Sequence, residues 1–338
     1  MAKRGESGIS RVIAVDKPVG LSSHDVVDEC RRIFGERRVG HTGTLDPLAS
    51  GILNICIGPA TRLGTFLVDH DKTYRMEVEF GTATTTDDAE GEVIKALSVP
   101  EELLDPDVAQ ACVAGLVGRS TQIPPVYSAI KVAGRKAYEQ ARCGKVIELA
   151  PREFEVFEAR LNEVKCIVEN GEPLIIWDVT LHVSKGTYMR SIARDLGHGL
   201  RTVAHVRSLR RVTLGDLSLE DCLSLEELKE NPQRATVDPL RLLGVRYAFV
   251  REEAKLVENG SPLRVESVRL NEPLEGDCFS GACCMTSVMP SSDPPRGDEQ
   301  VAIVVHNRLK ALYVYDEISG LYKPRCVFAV GVERDSNL

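Results

Sequence analysis

The stretch Gly40-His41-Thr42-Gly43-Thr44-Leu45-Asp46-Pro47-Leu48-Ala49-Ser50-Gly51 decides how the rest of the chain is read. It carries a single carboxylate, Asp46, in a glycine-rich loop between a predicted helix and a predicted strand. Its three glycines open turns that other residues rarely take. Pro47 fixes its own φ and disfavours helix at Asp46, so that side chain rides on a stiff turn. The spacing is not that of a P-loop, because no Lys-Ser/Thr pair closes it. By composition the stretch fits an ordinary polar turn as well as a reactive one, so the decision rests on what surrounds it.

Upstream, Val12 to Val15 reads as a strand that ends in the turn Asp16-Lys17-Pro18-Val19-Gly20. Ser22 or Ser23 caps a helix whose apolar positions Val26, Val27, Cys30, Ile33 and Phe34 keep helical spacing, and Gly35 stops it. Downstream, Ile52 to Ile57 reads as a buried strand, and Pro59 starts a short helix through Leu67. From Lys72 to Phe80 the alternation is strict, with Tyr74, Met76, Val78 and Phe80 on one face. An acidic loop over 82–91 and a helix over 108–116 follow, then an extended Gln122 to Ser128 rich in proline. Residues 134–144 read as a short basic helix. Strands are predicted over 154–161 and 174–183, a helix over 187–200, a strand pair over 203–214 and a short helix over 225–229.

At 338 residues the chain has room for two domains. Past Leu243 the pattern changes to short strands separated by turns, a small β domain interrupted by a Gly-, Pro-, Ser- and Cys-rich insertion over 271–299. The expected division is therefore 9–243 and 244–335. No apolar run is long enough to cross a bilayer, so no membrane association is expected. Ten cysteines at irregular spacing, without a CxxC pair or an export signal, predict reduced thiols in the cytoplasm. Cys278, Cys283, Cys284 and His306 lack the paired spacing of a zinc site, so no metal is expected. The net charge is −8, yet Lys185, Arg190, Arg194, Arg201, Arg207, Arg210 and Arg211 face one nearby acid, Asp195. That local basic segment is either a solvated face balanced by acids elsewhere or a surface for phosphate.

Several blocks in a fixed order now make the reading specific. They are Asp16-Lys17-Pro18 with Ser23-His24-Asp25-Val26-Val27, the stretch from Gly40 to Gly51, and Gly58-Pro59-Ala60-Thr61-Arg62. Lys72-Thr73-Tyr74, Gln122 to Lys131, residues 137–144 and Ser184 to Gly197 continue the series. Together, over about the first 215 residues, they resemble the bacterial TruB family of tRNA pseudouridine-55 synthases. The remainder is more loosely similar to that family's PUA-type RNA-binding domain, at Glu258-Asn259-Gly260 and Tyr322-Lys323-Pro324-Arg325. The Cys-rich insertion departs from the pattern.

The resemblance implies an α+β fold, with a mixed, largely antiparallel sheet, flanking helices and a small C-terminal PUA-like β domain. It implies an isomerisation that detaches uracil from C1′ and rejoins it through C5, with no cofactor. Asp46 becomes the essential carboxylate; attack at C1′, addition at C6 and removal of the C2′ proton all remain open to it. Arg190 becomes the cation that keeps it ionised, and Tyr74 the ring against the base. Read without the resemblance, Tyr74 is a core tyrosine and Arg190 one more phosphate-binding arginine. His41 fills the stack left by a flipped base. Lys17, Pro18, Leu209, Tyr188 and Lys131 complete the expected substrate site. The partner is the T arm of tRNA, with no obligate protein partner and a monomeric enzyme. A guide-RNA-dependent synthase, a non-catalytic RNA chaperone, and a metal-dependent hydrolase using His41, Asp46, Asp69, His70 and Asp71 are the competing readings.

Overall fold

The computed structural model describes residues 8–68, 70–128, 130–132, 135–136, 147–169, 171–233, 236–274 and 288–334. Two compact units emerge, one of Met1–Pro47, Gly51–Asp69 and Gly215–Leu338, the other of Leu48–Ser50 and His70–Leu214.

In the first unit, β1 (Arg11–Lys17) and β2 (Val39–Thr42) both pair antiparallel with β3 (Ala49–Ile57). β3 is buried at every position, as its unbroken apolar run requires. Helix α1 (Ser23–Phe34) begins at a reciprocal capping box between Ser22 and Asp25 and ends at Gly35, which takes the left-handed conformation. Of the apolar positions the periodicity names, Val26, Val27, Cys30 and Phe34 are buried and Ile33 is half-buried. Burial pushes the Cys30 and Cys56 thiols up to about 12. All six described cysteines are free.

The same unit holds a five-stranded sheet. Its strands are β11 (Tyr247–Phe249), β12 (Leu263–Arg264), β13 (Gln300–Val305), β14 (Arg308–Asp316) and β15 (Leu321–Glu333), ordered β11-β13-β14-β15-β12. The core of this sheet includes Val257, Ile303, Ala311, Tyr313 and Tyr322. The sheet is tied to the elements around Asp46. Arg62 donates to the Val327 carbonyl at 2.6 Å, and Arg11 pairs with Glu333 at 2.6 Å. Arg246 grips the end of the 271–299 insertion, donating to Ser291, to the Asp293 and Pro294 carbonyls and to Glu299. Cys278, Cys283 and Cys284, like the basic helix expected over 134–144, lie outside the described residues, apart from a two-residue strand at Arg135–Lys136.

The second unit is built on an antiparallel sheet of β10 (Ala204–Leu214), β4 (Lys72–Phe80), β9 (Glu172–Val183), β8 (Arg152–Glu169) and β7 (Gly118–Gln122), in that spatial order. The hairpin of β5 (Thr82–Thr84) and β6 (Val93–Ala96) brackets the acidic loop. Helix α2 spans Pro106–Ala114 and α3 spans Met189–Gly199. Three elements differ from expectation. β8 runs eight residues past its predicted end; the polar Asn162, Glu163 and Lys165 read as loop, yet Glu163 and Lys165 pair with β9 and Asn162 sits at a register shift. Residues 204–214 form one strand; register shifts next to Val206 and Arg211 break its alternation and mimic two strands. β7 is a polar strand at the end of the sheet order, without the apolar alternation that announces a strand.

Gly197 sets how closely α3 lies on β10. A Cβ there would sit 2.5 Å from the Ala204 nitrogen and 2.8 Å from the Val203 carbonyl carbon, both backbone atoms that cannot swing aside. Gly197→Ala is expected to cost about 1–3 kcal/mol of stability, read as a lowered thermal midpoint. An unchanged midpoint contradicts the close packing.

The polar face of this sheet holds a charge network around Asp178, which is almost fully buried. Burial raises its pKa, but the Arg75 fork (3.0, 3.2 and 2.6 Å) and the Asn162 amide (2.8 Å) outweigh burial and hold it below 3.8. Glu77 behaves alike: burial raises it, and hydrogen bonds from Lys165 and Ser208 (both 2.7 Å) bring it below 4.5. A depressed carboxylate contributes stability that is present above its unfolded pKa and lost as pH falls through its folded one. The expected result is a thermal midpoint that drops on acidification from about pH 4.5 downward. An Asp178→Asn variant should lose part of that dependence.

Candidate active site

Asp46 is positioned through its neighbours. The Ser23 hydroxyl donates to the Leu45 carbonyl at 2.9 Å and accepts from the Leu45 amide at 2.8 Å. On the other side, the Gly20 amide donates to the Pro47 carbonyl at 2.8 Å. Lys17 is fully buried and donates its ammonium to the carbonyls of Pro18 (2.8 Å), Leu21 (2.6 Å) and Pro47 (3.4 Å). The residues flanking the carboxylate are thus held by α1 and by the turn after β1, while Asp46 itself is half-buried. Such a clamp holds a side chain in place on an irregular loop. Pro18 is exposed at the rim of the turn that Lys17 organises. His41 lies half-buried on β2, opposite Ile55 of β3 and five residues before the carboxylate.

The second unit gathers a separate group around the start of α3. Arg190 is 6% exposed. Its guanidinium donates to the carbonyls of Thr86 and Tyr127, each at 2.9 Å, and pairs with Asp88 at 3.4 Å. Asp88 is fixed in turn by the Glu90 amide at 3.1 Å and by the Thr86 hydroxyl. Tyr188 is the N-cap of α3, and its backbone N–H donates to Gln122 at 3.2 Å. Tyr74 lies on the buried face of β4 opposite Arg211, whose guanidinium donates to the phenol oxygen at 3.4 Å. Leu209 stands two residues along β10, opposite Met76, on the face that Tyr74 shares. Lys131 begins a two-residue strand, and its side chain lies outside the described atoms.

Two residues enter the site that sequence reasoning did not single out. Asp88 sat unremarked in an acidic loop; its signal is the Thr-Thr-Asp-Asp run before Gly91. Arg211 stands in the local basic segment, yet it is fully buried against Tyr74. Within the basic segment, Arg194 pairs with Asp87 and Asp195, and Arg207 pairs with Glu79 and Glu169. Only Lys185 and Arg201 of the seven cations are exposed. Among the described residues, no group of three or more His, Cys, Asp or Glu side chains is placed to hold a metal ion.

The first unit thus holds an aspartate on a clamped glycine-rich loop, and the second a buried arginine fork and a buried phenol. Comparison with known proteins gives the family. Residues 31–189 match the family described as TruB family pseudouridylate synthase (N terminal domain), and residues 190–242 match the tRNA pseudouridylate synthase B C-terminal domain. The chain is 43% identical over 257 residues to tRNA pseudouridine synthase B of Mycobacteroides abscessus, covering 75% of this chain and 84% of that protein. It is 42% identical over 263 residues to the Bacillus anthracis protein of the same name, with the same coverage. The fold is shared with a chain of an H/ACA ribonucleoprotein bound to a substrate RNA containing 2′-deoxyuridine (TM-score 0.62, 20% identity, 95% of this chain and 85% of that one). The chain belongs to the TruB family of pseudouridylate synthases, and it is an isomerase of tRNA uridine.

Proposed function

We propose that this enzyme converts uridine to pseudouridine at position 55 in the T arm of tRNA, by base flipping, with Asp46 as the essential carboxylate. The clamped Asp46 loop carries the reading. Ser23, Gly20 and Lys17 together hold both of its neighbours, and a reactive group held this firmly pays little entropy on reaching its transition state. Extruding a base costs a few kcal/mol, which His41 offsets by occupying the vacated stack. Tyr74 stacks on the extruded uracil and stands where the C5 proton leaves. Arg190 keeps the carboxylate ionised, and Tyr188 and Leu209 wall the pocket. Lys17 and Pro18 shape its floor, and Lys131 meets the RNA backbone.

The reaction needs no external cofactor, because the C1′–N1 bond breaks, the C1′–C5 bond forms, C5 gives up its proton to solvent and N1 takes one up in its place. The C-terminal five-stranded sheet serves as a PUA-like RNA-binding domain. The enzyme acts in the cytoplasm as a monomer without an obligate protein partner; among the described residues no helix is long and apolar enough to cross a membrane. The test is release of tritium from C5-labelled uridine in a T-arm transcript, with EDTA present and no other protein added. Release establishes autonomous activity. Binding without release points instead to a guide-dependent enzyme or an RNA chaperone and removes this reading.

A further inference from the structure

The acidic loop between β5 and β6 holds two neighbouring aspartates, and each meets an arginine of α3 one helical turn apart. Asp88 meets Arg190, and Asp87 meets Arg194. The first pair belongs to the site described above. The second has no role there, and its construction is unusual. Asp87 has a φ of 61°, a left-handed conformation that costs energy in any residue with a Cβ. The backbone around it is fixed to β10, since Val206 donates to the Asp87 carbonyl at 3.1 Å and Ala89 donates to the Val206 carbonyl at 2.9 Å. The turn therefore cannot relax without losing that bridge. Both side chains are about four-fifths buried. Arg194 uses its whole fork: one nitrogen to Asp87 at 3.1 Å, one to Asp195 at 2.9 Å and one to the Ile123 carbonyl at 2.8 Å.

We infer that the Asp87–Arg194 pair is a positioning latch that fixes the turn presenting Asp88 and Thr86 to Arg190, and so sets the catalytic arginine in place. This rests on the pseudouridine synthase reading. The argument is geometric. Arg190 takes one of its contacts from the Thr86 carbonyl and another from Asp88, the residues on either side of Asp87. Ile123 and Tyr127, whose carbonyls receive Arg194 and Arg190, belong to one short stretch of chain after β7. Releasing Arg194 therefore loosens both supports of Arg190 at once. Arg194 acts here as a structural cation rather than a contact to RNA phosphate.

The latch also has a pH signature. Burial raises the Asp87 pKa above 3.8, and Arg194 and Arg190 only partly offset it; Asp195 adds to the rise. Asp88, on its own loop, is the remaining acid beside these groups. Asp87 thus becomes neutral at a higher pH than an ordinary carboxylate, and the latch is lost as pH falls through that value.

The experiment compares wild type, Asp87→Asn and Arg194→Gln on a T-arm transcript, each checked for an unchanged circular dichroism spectrum. Asparagine tolerates the left-handed conformation, so Asp87→Asn removes the charge and keeps the turn. The expected result is a single-turnover rate about tenfold lower in each variant. RNA affinity should stay within about twofold, and the double variant should be no worse than either single one. The gap between wild type and Asp87→Asn should close on acidification. If wild type forms no pseudouridine, the function reading fails. If wild type is active and Asp87→Asn matches it at neutral pH, the latch fails. Weaker RNA binding by Arg194→Gln and tighter binding by Asp87→Asn would also overturn it, because Arg194 would then be a phosphate contact restrained by Asp87.

Discussion

Asp46→Asn is expected to lower pseudouridine formation by roughly three to four orders of magnitude, as loss of a key carboxylate does in other enzymes, while RNA still binds. Asparagine matches aspartate in size. Backbone groups of Leu45 and Pro47 anchor the loop through Ser23, Gly20 and Lys17, and the substitution leaves those bonds unchanged. Removing the charge therefore leaves the turn in place, and the thermal midpoint should stay within a few degrees of wild type. Single-turnover tritium release from C5 reads the chemistry, and a gel shift with the same transcript reads binding. Residual release above about one-tenth of the wild-type rate would show that the carboxylate is dispensable and would end its assignment as the essential group. Loss of both release and binding would instead assign the loop to RNA docking.

The blocks legible in the sequence were those where local chemistry dictates local geometry. The serine cap of α1, which the structure places at Ser22, most of the helix's apolar stripe and the strict alternation of β4 all recur in the structure. Those signals are short-range, and so is the turn that stiffens Asp46. What stayed hidden depends on contacts distant in sequence. Arg211 becomes a buried partner of Tyr74 only because β10 and β4 pair in one register. Asp88 becomes a partner of Arg190 across some hundred residues. The far half of β8 reads as loop because its polar side chains find partners such as Glu77 and Asp178 only once the sheet exists. In the basic segment the sequence leaves a balanced face and a phosphate surface both open, and acids far along the chain pair with Arg194 and Arg207 inside the fold. A charge pattern gives the sign of a segment, and only the tertiary pairing says whether that charge faces a ligand.

The second large effect is expected at Arg190. Its guanidinium meets the Thr86 carbonyl and Asp88 through one terminal nitrogen and the Tyr127 carbonyl through the other. A planar fork can satisfy acceptors lying on two sides at once; the compact ammonium of lysine, on a flexible stem, cannot. Arg190→Lys keeps the charge, so Asp88 remains compensated and the protein should fold, but the cation will settle toward one side. A displacement of about 1 Å at a catalytic group costs on the order of a hundredfold in rate, and that is the expected loss at saturating RNA. Arg190→Met tests the other half of the argument. It strands a buried carboxylate, and breaking such a pair costs about 3–5 kcal/mol of stability, read as a lower urea midpoint. Adding Asp88→Asn to Arg190→Met should recover much of that stability, because the stranded charge is gone. It should recover none of the activity if the arginine itself serves the reaction. Activity returning together with stability would show that Arg190 only holds the fold, and the catalytic cation would have to be sought elsewhere.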